Sequence, residues 1–268
     1  MKPEPKNLHI LLITEHQNAS ESVISNGLIM AEIFNANIIW VQVCFKNENH
    51  LPEPHTTEQN GIKITPLYIS HKNLHTVFDI AENNNAIMTI MAVDKAKPNL
   101  NAPRKVLKLA RKSRIPFLLV QNKTPYPSQF KNIVLPVDFL QQTKEKALWA
   151  SYFHRFNESI IHAITTPYKD EYYRMHSKNN LKFIQRMYHN LDVEYQTLEI
   201  AGANLKLDQA AIDYAAKIDA ALVVIMTTLD YNIDDMIMGP PELKLIQNQH
   251  QIPVLCLNQR NDIYVLCS

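Results

Sequence analysis

The second half of the sequence repeats, in the same order, a set of short apolar runs found in the first half. Such runs, rich in Ile, Val and Leu, are typical of strands buried on both faces of a parallel sheet. The offset between matching runs grows from 123 to 137 residues, which indicates insertions in the second copy. Two copies predict two domains rather than a solenoid. The matching runs are His9–Glu15 with Asn132–Asp138, Ala86–Met91 with Ala221–Met226, and Ile115–Val120 with Ile252–Leu257.

Helical patterns separate the strand-like runs, which predicts the α/β class with helices covering a parallel sheet. The polar segment Lys46–Asn60 lacks helical periodicity and is interpreted as a loop. In the second copy, a helical stripe within Lys169–Leu191 predicts a helix that the first copy lacks. The elements predicted for the first copy are strands over His9–Glu15, Asn37–Val43, Lys63–Ile69, Ala86–Val93 and Pro116–Gln121, and helices after Ser20, over Leu74–Asn83 and over Ala102–Ser113.

Two prolines in the polar hexapeptide Lys123–Ser128 indicate a linker between the copies. We predict a first domain over residues 1–122, a linker over 123–130, a second domain over 131–258 and a tail over 259–268. The run Asp262–Cys267 in this tail has strand character and no counterpart in the first copy. We expect it to pair with a sheet edge, in this chain or in another.

The composition favours a globular protein without a polyanionic partner. The 268 residues include 27 basic and 26 acidic side chains, so the net charge of +1 gives no global field toward nucleic acid or membranes. Apolar runs such as Ile38–Val43 fall far below the about 18 residues of a membrane span, and no signal-peptide core follows Met1–Lys6. The three cysteines are far apart, which favours neither disulfides nor a zinc ribbon. We expect a cytoplasmic protein that binds neither membrane nor nucleic acid. A basic cluster between Lys95 and Arg114 fits either a partner surface or a solvated helix face.

The order and spacing of these runs resemble the universal stress protein family in its tandem form, with two copies in one chain. The resemblance covers residues 7–121 and 131–258. It implies an α/β fold of two tandem, doubly wound, five-stranded parallel-sheet domains, Rossmann-like with strand order 3-2-1-4-5, packed as a pseudo-dimer. Since relatives commonly dimerise, it also implies a homo-oligomer. The motifs that carry it are Ile133–Asp138, Ile160–Ile164, Ala221–Met226, Met238–Pro241 and Gln251–Leu257.

Many members of this family bind ATP or other adenine nucleotides at the carboxyl ends of the strands. The resemblance implies three parts of such a site: an acid after the first strand, a backbone contact to adenine near the second, and a loop of form G-x2-G-x9-G-[ST] after the fourth. That loop wraps phosphates with backbone N–H groups. Carried over by position to the second copy, the nucleotide-binding residues are Asp138, Ala163, Met226, Thr227, Thr228 and Gly239.

The phosphate loop of this sequence departs from the family pattern. The whole chain has only four glycines, and Thr227 and Asp230 stand where the loop has two of them. Each adds a Cβ atom where the backbone must approach a phosphate. Pro240 or Pro241 replaces the Ser or Thr and lacks an N–H donor.

In the first copy Glu15 takes the acid position, but the segment Met91–Pro103 contains no glycine. Phosphate binding is therefore expected to be lost there. In the second copy, Asp138 has a structural alternative as a capping or turn residue after the first strand.

We therefore predict a non-catalytic tandem universal-stress-type protein that acts through protein interactions in stress response and needs no cofactor. The alternative is a binder of ATP, AMP or another small ligand in the second-domain cleft, with slow ATPase activity. A third hypothesis, an enzyme acting on an adenylated substrate, has only fold analogy behind it. No catalytic motif is found, and His71 and His75 lack a third metal ligand, so neither catalytic nor metal-binding residues are predicted.

Overall fold

The computed structural model describes residues 8–16, 18–45, 53–94, 100–121, 130–201, 206–228 and 240–259. The chain divides into two compact units between Tyr126 and Pro127. This division falls within the predicted linker 123–130, of which only residue 130 is described. The predicted tail strand Asp262–Cys267 lies outside the described residues, and the exact domain limits stay predictions.

The first unit is a parallel sheet with one short antiparallel strand at its edge. Its elements are β1 (His9–Glu15), α1 (Glu21–Ile33), β2 (Asn37–Cys44), β3 (Thr57–Gln59), β4 (Ile62–Ser70), a 3₁₀ segment (His71–Thr76), α2 (Val77–Asn83), β5 (Ala86–Val93), α3 (Pro103–Ala110) and β6 (Phe117–Gln121). The strand order is β3-β4-β2-β1-β5-β6, and only the β3–β4 pair is antiparallel. The five predicted parallel strands are confirmed.

The strand β3 corrects the interpretation of Lys46–Asn60 as a loop. Gln59 pairs with Ile62, so Asn60 and Gly61 form a two-residue hairpin turn. Both turn residues have positive φ, 52° and 79°. Asn-Gly is the dipeptide that type I′ hairpin turns favour, since both of its residues tolerate this conformation. The Asn-Gly dipeptide was therefore a signal for this hairpin in the sequence. Residues 46–52 of the segment lie outside the described part.

The second unit is a five-stranded, wholly parallel sheet. Its elements are β7 (Asn132–Pro136), α4 (Thr143–Asn157), β8 (Ile160–Thr165), α5 (Glu171–Asn190), β9 (Tyr195–Glu199), α6 (Leu207–Lys217), β10 (Leu222–Met226), α7 (Glu242–Leu245) and β11 (Val254–Leu257). The strand order is β11-β10-β7-β8-β9. When the parallel strands of each unit are numbered along the chain, both sheets have the order 3-2-1-4-5, as the resemblance implies. The helix predicted within Lys169–Leu191 is confirmed as α5.

Apolar side chains of the strands form the core of each unit, and the central strands β1 and β7 are almost fully buried. No helix in the described ranges has both the length and the hydropathy needed to cross a bilayer.

A buried histidine ties a helix to the sheet of the second unit. The Nε2 atom of His162 in β8 lies 3.1 Å from Oδ1 of Asn132, and Nδ1 lies 3.2 Å from the hydroxyl of Tyr214 in α6. An amide oxygen can only accept, so Nε2 carries the proton and Nδ1 accepts from the tyrosine. Burial lowers the pKa of His162 below its ordinary value of 6.5.

We expect this histidine to make the stability of the second unit depend on pH. At pH values between 6.5 and the lower pKa of the folded state, the His162 ring is protonated in the unfolded chain but neutral in the folded protein. The stabilisation is therefore complete at pH values well above 6.5 and decreases as the pH falls through 6.5 toward the lower pKa of the folded state. Its contribution to the slope is at most about 1.4 kcal/mol per pH unit.

Urea unfolding of the wild type and of His162→Gln across this range tests the expectation. The variant keeps a hydrogen-bonding side chain but no titrating ring, and the other histidines are common to both proteins. A shallower decline in the variant is the expected result, and parallel curves would contradict it.

Candidate functional site

The carboxyl ends of β7 and β10 form the point at which the chain reverses its direction of strand addition. From β7 the chain adds β8 and β9 on one side of the sheet, and then β10 and β11 on the other. Crevices at such switch points are the usual ligand sites of open parallel sheets. This edge therefore contains the candidate site of the second unit.

The structure places four of the six predicted residues at this edge. Asp138 follows β7, Met226 ends β10, and Thr227 and Thr228 come directly after it. Ala163 is fully buried inside β8, with its backbone in the sheet between β7 and β9. Gly239 lies outside the described residues.

Both carboxylate oxygens of Asp138 are engaged by its own segment. Oδ1 accepts the backbone N–H of Leu140 at 2.9 Å and the hydroxyl of Thr143, and Oδ2 accepts Nζ of Lys146 at 3.1 Å. The turn is also held from outside, because Nδ2 of Asn180 in α5 donates to the backbone oxygens of Asp138 and Leu140, at 2.9 and 2.8 Å. This carboxylate therefore fulfils the structural alternative of a turn residue after β7, and it also binds the Thr143 hydroxyl at the start of α4.

Lys146 is a buried cation, with a side chain only 1% exposed beside an Asp138 side chain that is 19% exposed. A charge so far from water requires a partner of opposite sign. The ion pair with Asp138 supplies that partner and fills the space next to the carboxylate from within the protein.

A second internal contact lies at the other side of the switch point, after β10. Oε1 of Glu242 accepts the backbone N–H of Thr228 at 2.7 Å and the Thr228 hydroxyl at 2.9 Å. Glu242 begins α7 and is 3% exposed. Backbone N–H groups that follow a parallel strand are typical anion donors. In this chain, a carboxylate of the protein itself accepts the N–H group of Thr228.

Two further ionisable groups lie close enough to this edge for its charges to shift their pKa. Burial raises the pKa of the Asp208 carboxyl, and the charges of Asp138 and Glu242 raise it further, while Lys146 opposes them. Burial, followed by the charges of Asp138 and Asp208, also raises the pKa of the Tyr168 phenol. Asp138 and Glu242 thus contribute two carboxylates to this edge, and Lys146 pairs with one of them.

The acids do not converge on a metal site, because no group of three His, Cys, Asp or Glu residues in the described ranges has that arrangement. The same search covers His71 and His75, which lie in the 3₁₀ segment of the first unit.

The corresponding acid of the first unit is also used internally. Glu15 ends β1, is 8% exposed, and accepts the backbone N–H of Leu100 at 3.1 Å through Oε1. Lys95 and Lys97, which could attract an anion by charge, lie outside the described residues.

Sequence reasoning found Asp138 but missed Lys146, Asp208 and Glu242. A signal for Lys146 existed, since it shares a helical face with Ala150 and Phe153, and a lysine in an apolar stripe requires a buried partner. No comparable signal exists for Glu242, because its approach to Thr228 depends on the path of the loop between them.

We expect Lys146→Met to destabilise the second unit by about 3 kcal/mol, because it leaves the Asp138 charge without its buried partner. The double variant Asp138→Asn/Lys146→Met removes both charges and should recover most of this loss. Chemical denaturation of the wild type, Lys146→Met, Asp138→Asn and the double variant measures the coupling. Equal stability of the single and double variants would show that the ion pair contributes little.

No protein-family profile and no curated protein matches the sequence. Solved structures do match, over nearly the whole chain. A universal stress protein from Archaeoglobus fulgidus DSM 4304 is 13% identical with a TM-score of 0.65, covering 95% of this chain and 97% of its own. A candidate universal stress protein from Pseudomonas aeruginosa UCBPP-PA14 is 16% identical with a TM-score of 0.65, covering 96% and 95%. A functionally unknown protein from Pseudomonas aeruginosa PAO1 is 17% identical with a TM-score of 0.64, covering 96% and 95%. Along nearly its whole length, the chain therefore has the fold of universal stress proteins, with two such units in one polypeptide.

Proposed function

We propose that this protein is a non-catalytic, tandem universal-stress-type protein that acts through protein interactions in stress response. It requires no cofactor, and both self-association and an unidentified protein partner are part of the proposal. The shared fold supports the stress-response role by analogy, since relatives with this architecture carry that name.

The observation that carries the proposal is the internal use of both ends of the switch-point crevice. Lys146 neutralises the acid that a nucleoside would contact, and Glu242 takes the N–H of Thr228 that a phosphate would contact. A nucleotide would have to displace a buried ion pair and a buried carboxylate. Both displacements cost free energy, because they leave charged groups without partners.

The second candidate function is binding of ATP, AMP or another small ligand in the same crevice, with slow ATPase activity. The position of Asp138 favours it, because the acid follows the first strand of the unit at the switch point. Under this alternative, Lys146 would turn from Asp138 toward the ligand and the Glu242 contact would open.

Nucleotide titration separates the two candidates. We expect no heat in calorimetry and no shift of Tm with ATP, ADP or AMP plus magnesium, because the donors are already occupied. A ligand at about 100 times its Kd would instead stabilise the protein by about 2.7 kcal/mol. Mass spectrometry of the denatured protein should accordingly find no co-purified nucleotide.

Two matched variants locate any binding that is seen. Asp138→Ala and Glu15→Ala remove the acid at the corresponding position of the second and the first unit. A Kd in the low micromolar range that is lost in Asp138→Ala and kept in Glu15→Ala would overturn the proposal in favour of the alternative.

A further inference from the structure

The outer face of α5 carries four basic side chains at every fourth position. They are Arg174, Lys178, Lys182 and Arg186, which we call the basic stripe, and all four are exposed. Residues four apart lie on one side of a helix. With a rise of about 1.5 Å per residue, the stripe extends along about 18 Å of the helix.

The basic stripe is not neutralised by the parts of the protein that the structure describes. None of its four side chains forms an ion pair or a hydrogen bond with a described residue. The only acid within α5 is Glu171, in its first turn. Like charges four residues apart destabilise a helix. The stripe therefore opposes folding of α5, and folding alone does not account for it.

Exposed apolar side chains accompany the stripe. Tyr172 is 59% exposed, Met175 53% and Phe183 42%. Tyr172 and Phe183 are eleven residues apart, three helical turns, and so lie on the same flank of α5. The helix thus presents a row of cations beside an apolar flank, which is the pattern that complements an acidic amphipathic segment.

The geometry favours an α-helix as the complementary structure. Acidic residues at every fourth position of a second helix repeat at the same distance of about 6 Å as the basic stripe. Four ion pairs can then form in register while apolar residues of the partner contact Met175 and Phe183.

Nucleic acid and anionic membranes fit this surface less well. Residues 131–268 contain 13 basic and 16 acidic residues, so a long polyanion would meet a second unit with net charge −3 beyond the stripe. The rings are also partly engaged: Nζ of Lys144 lies 4.6 Å from the centroid of Phe183, and Tyr172 contacts the rings of Tyr173 and His176. They offer few open faces for base stacking. The face opposite the core is charged rather than apolar, unlike that of a helix that enters a membrane surface.

We propose that the outer face of α5 binds an acidic amphipathic helix of a partner protein through the basic stripe and its apolar flank. The proposal rests on the function proposed above, action through protein interactions, and names the chemistry of the partner.

The probe is a fluorescein-labelled helical peptide of about 18 residues, with Glu at every fourth position and Leu along the adjacent flank. Fluorescence anisotropy with the full-length protein at about 50 mM salt should give saturable binding, and about 300 mM salt should weaken it at least fivefold, since exposed charges are screened. The triple variant Lys178→Glu/Lys182→Glu/Arg186→Glu should weaken binding at least tenfold. Phe183→Ala should weaken it with little change in the salt dependence.

The matched control is Lys131→Glu/Lys169→Glu/Lys206→Glu, which makes the same change in net charge at exposed positions outside α5. It should leave binding within twofold of the wild type. Circular dichroism confirms that each variant is folded. If the charge reversal unfolds the protein, the neutral variant Lys178→Gln/Lys182→Gln/Arg186→Gln replaces it in the titration. Failure of the peptide to bind, or equal losses in both triple variants, would overturn the proposal. Tighter binding to a 20-residue oligothymidylate or to phosphatidylserine vesicles would also overturn it.

The peptide titration and the nucleotide titration fail independently. If the protein binds neither peptide nor nucleotide, the function proposed above stands and only the proposal for α5 is overturned. If the protein binds nucleotide through Asp138, the function proposed above is overturned, whether or not the peptide binds.

Discussion

The pairing of Lys146 with Asp138 is the contact on which the candidate site of the second unit depends. In a parallel sheet, strand ends and helix starts gather at one edge, and their free backbone N–H groups attract anions. Here the anions come from the chain: Asp138 takes the N–H of Leu140, and Glu242 takes that of Thr228. Lys146 then neutralises Asp138 from within the core. At this edge, donors and charged groups therefore have partners within the protein itself.

One buried cation among three acids leaves an excess of negative charge, and Asp208 shows how the protein accommodates it. Asp138 and Glu242 each have specific donors, whereas Asp208 is affected mainly by burial, which raises its pKa. A carboxyl that holds its proton more strongly contributes less negative charge to the cluster. Asp208, whose carboxyl has no hydrogen-bond donor among the described residues, is therefore the acid of this cluster whose ionisation burial disfavours.

The repeat made the strands predictable, because a run of Ile, Val and Leu bounded by turn residues has few alternatives to a buried strand. Asp138 was predictable for the same reason, since it follows such a run directly. The Asn60–Gly61 turn was a local signal as well, because Asn-Gly favours a two-residue hairpin even where helical periodicity is absent. Glu242 is a different case. Its contact joins the residues after β10 to the start of α7 across a sequence separation of 14, so neither spacing nor composition could place it beside Thr228. The sequence shows the basic stripe as four cations spaced four residues apart. Only the structure shows that these side chains are exposed and not paired with acids of the described residues.

The two units differ most between the second and third of their parallel strands, and this difference indicates which features the sheet itself requires. Among the described residues, the first unit has the short strand β3 there, whereas the second has the twenty-residue helix α5. Both sheets nonetheless have the same strand order, so the sheet does not require a helix of this length. The inner face of α5 has a clear structural role, because Asn180 holds the turn at Asp138. The basic stripe on its outer face forms no ion pair or hydrogen bond with a described residue, and four like charges there oppose helix formation. A surface that costs stability and that the sheet does not require is where an interaction with another protein is the better physical explanation.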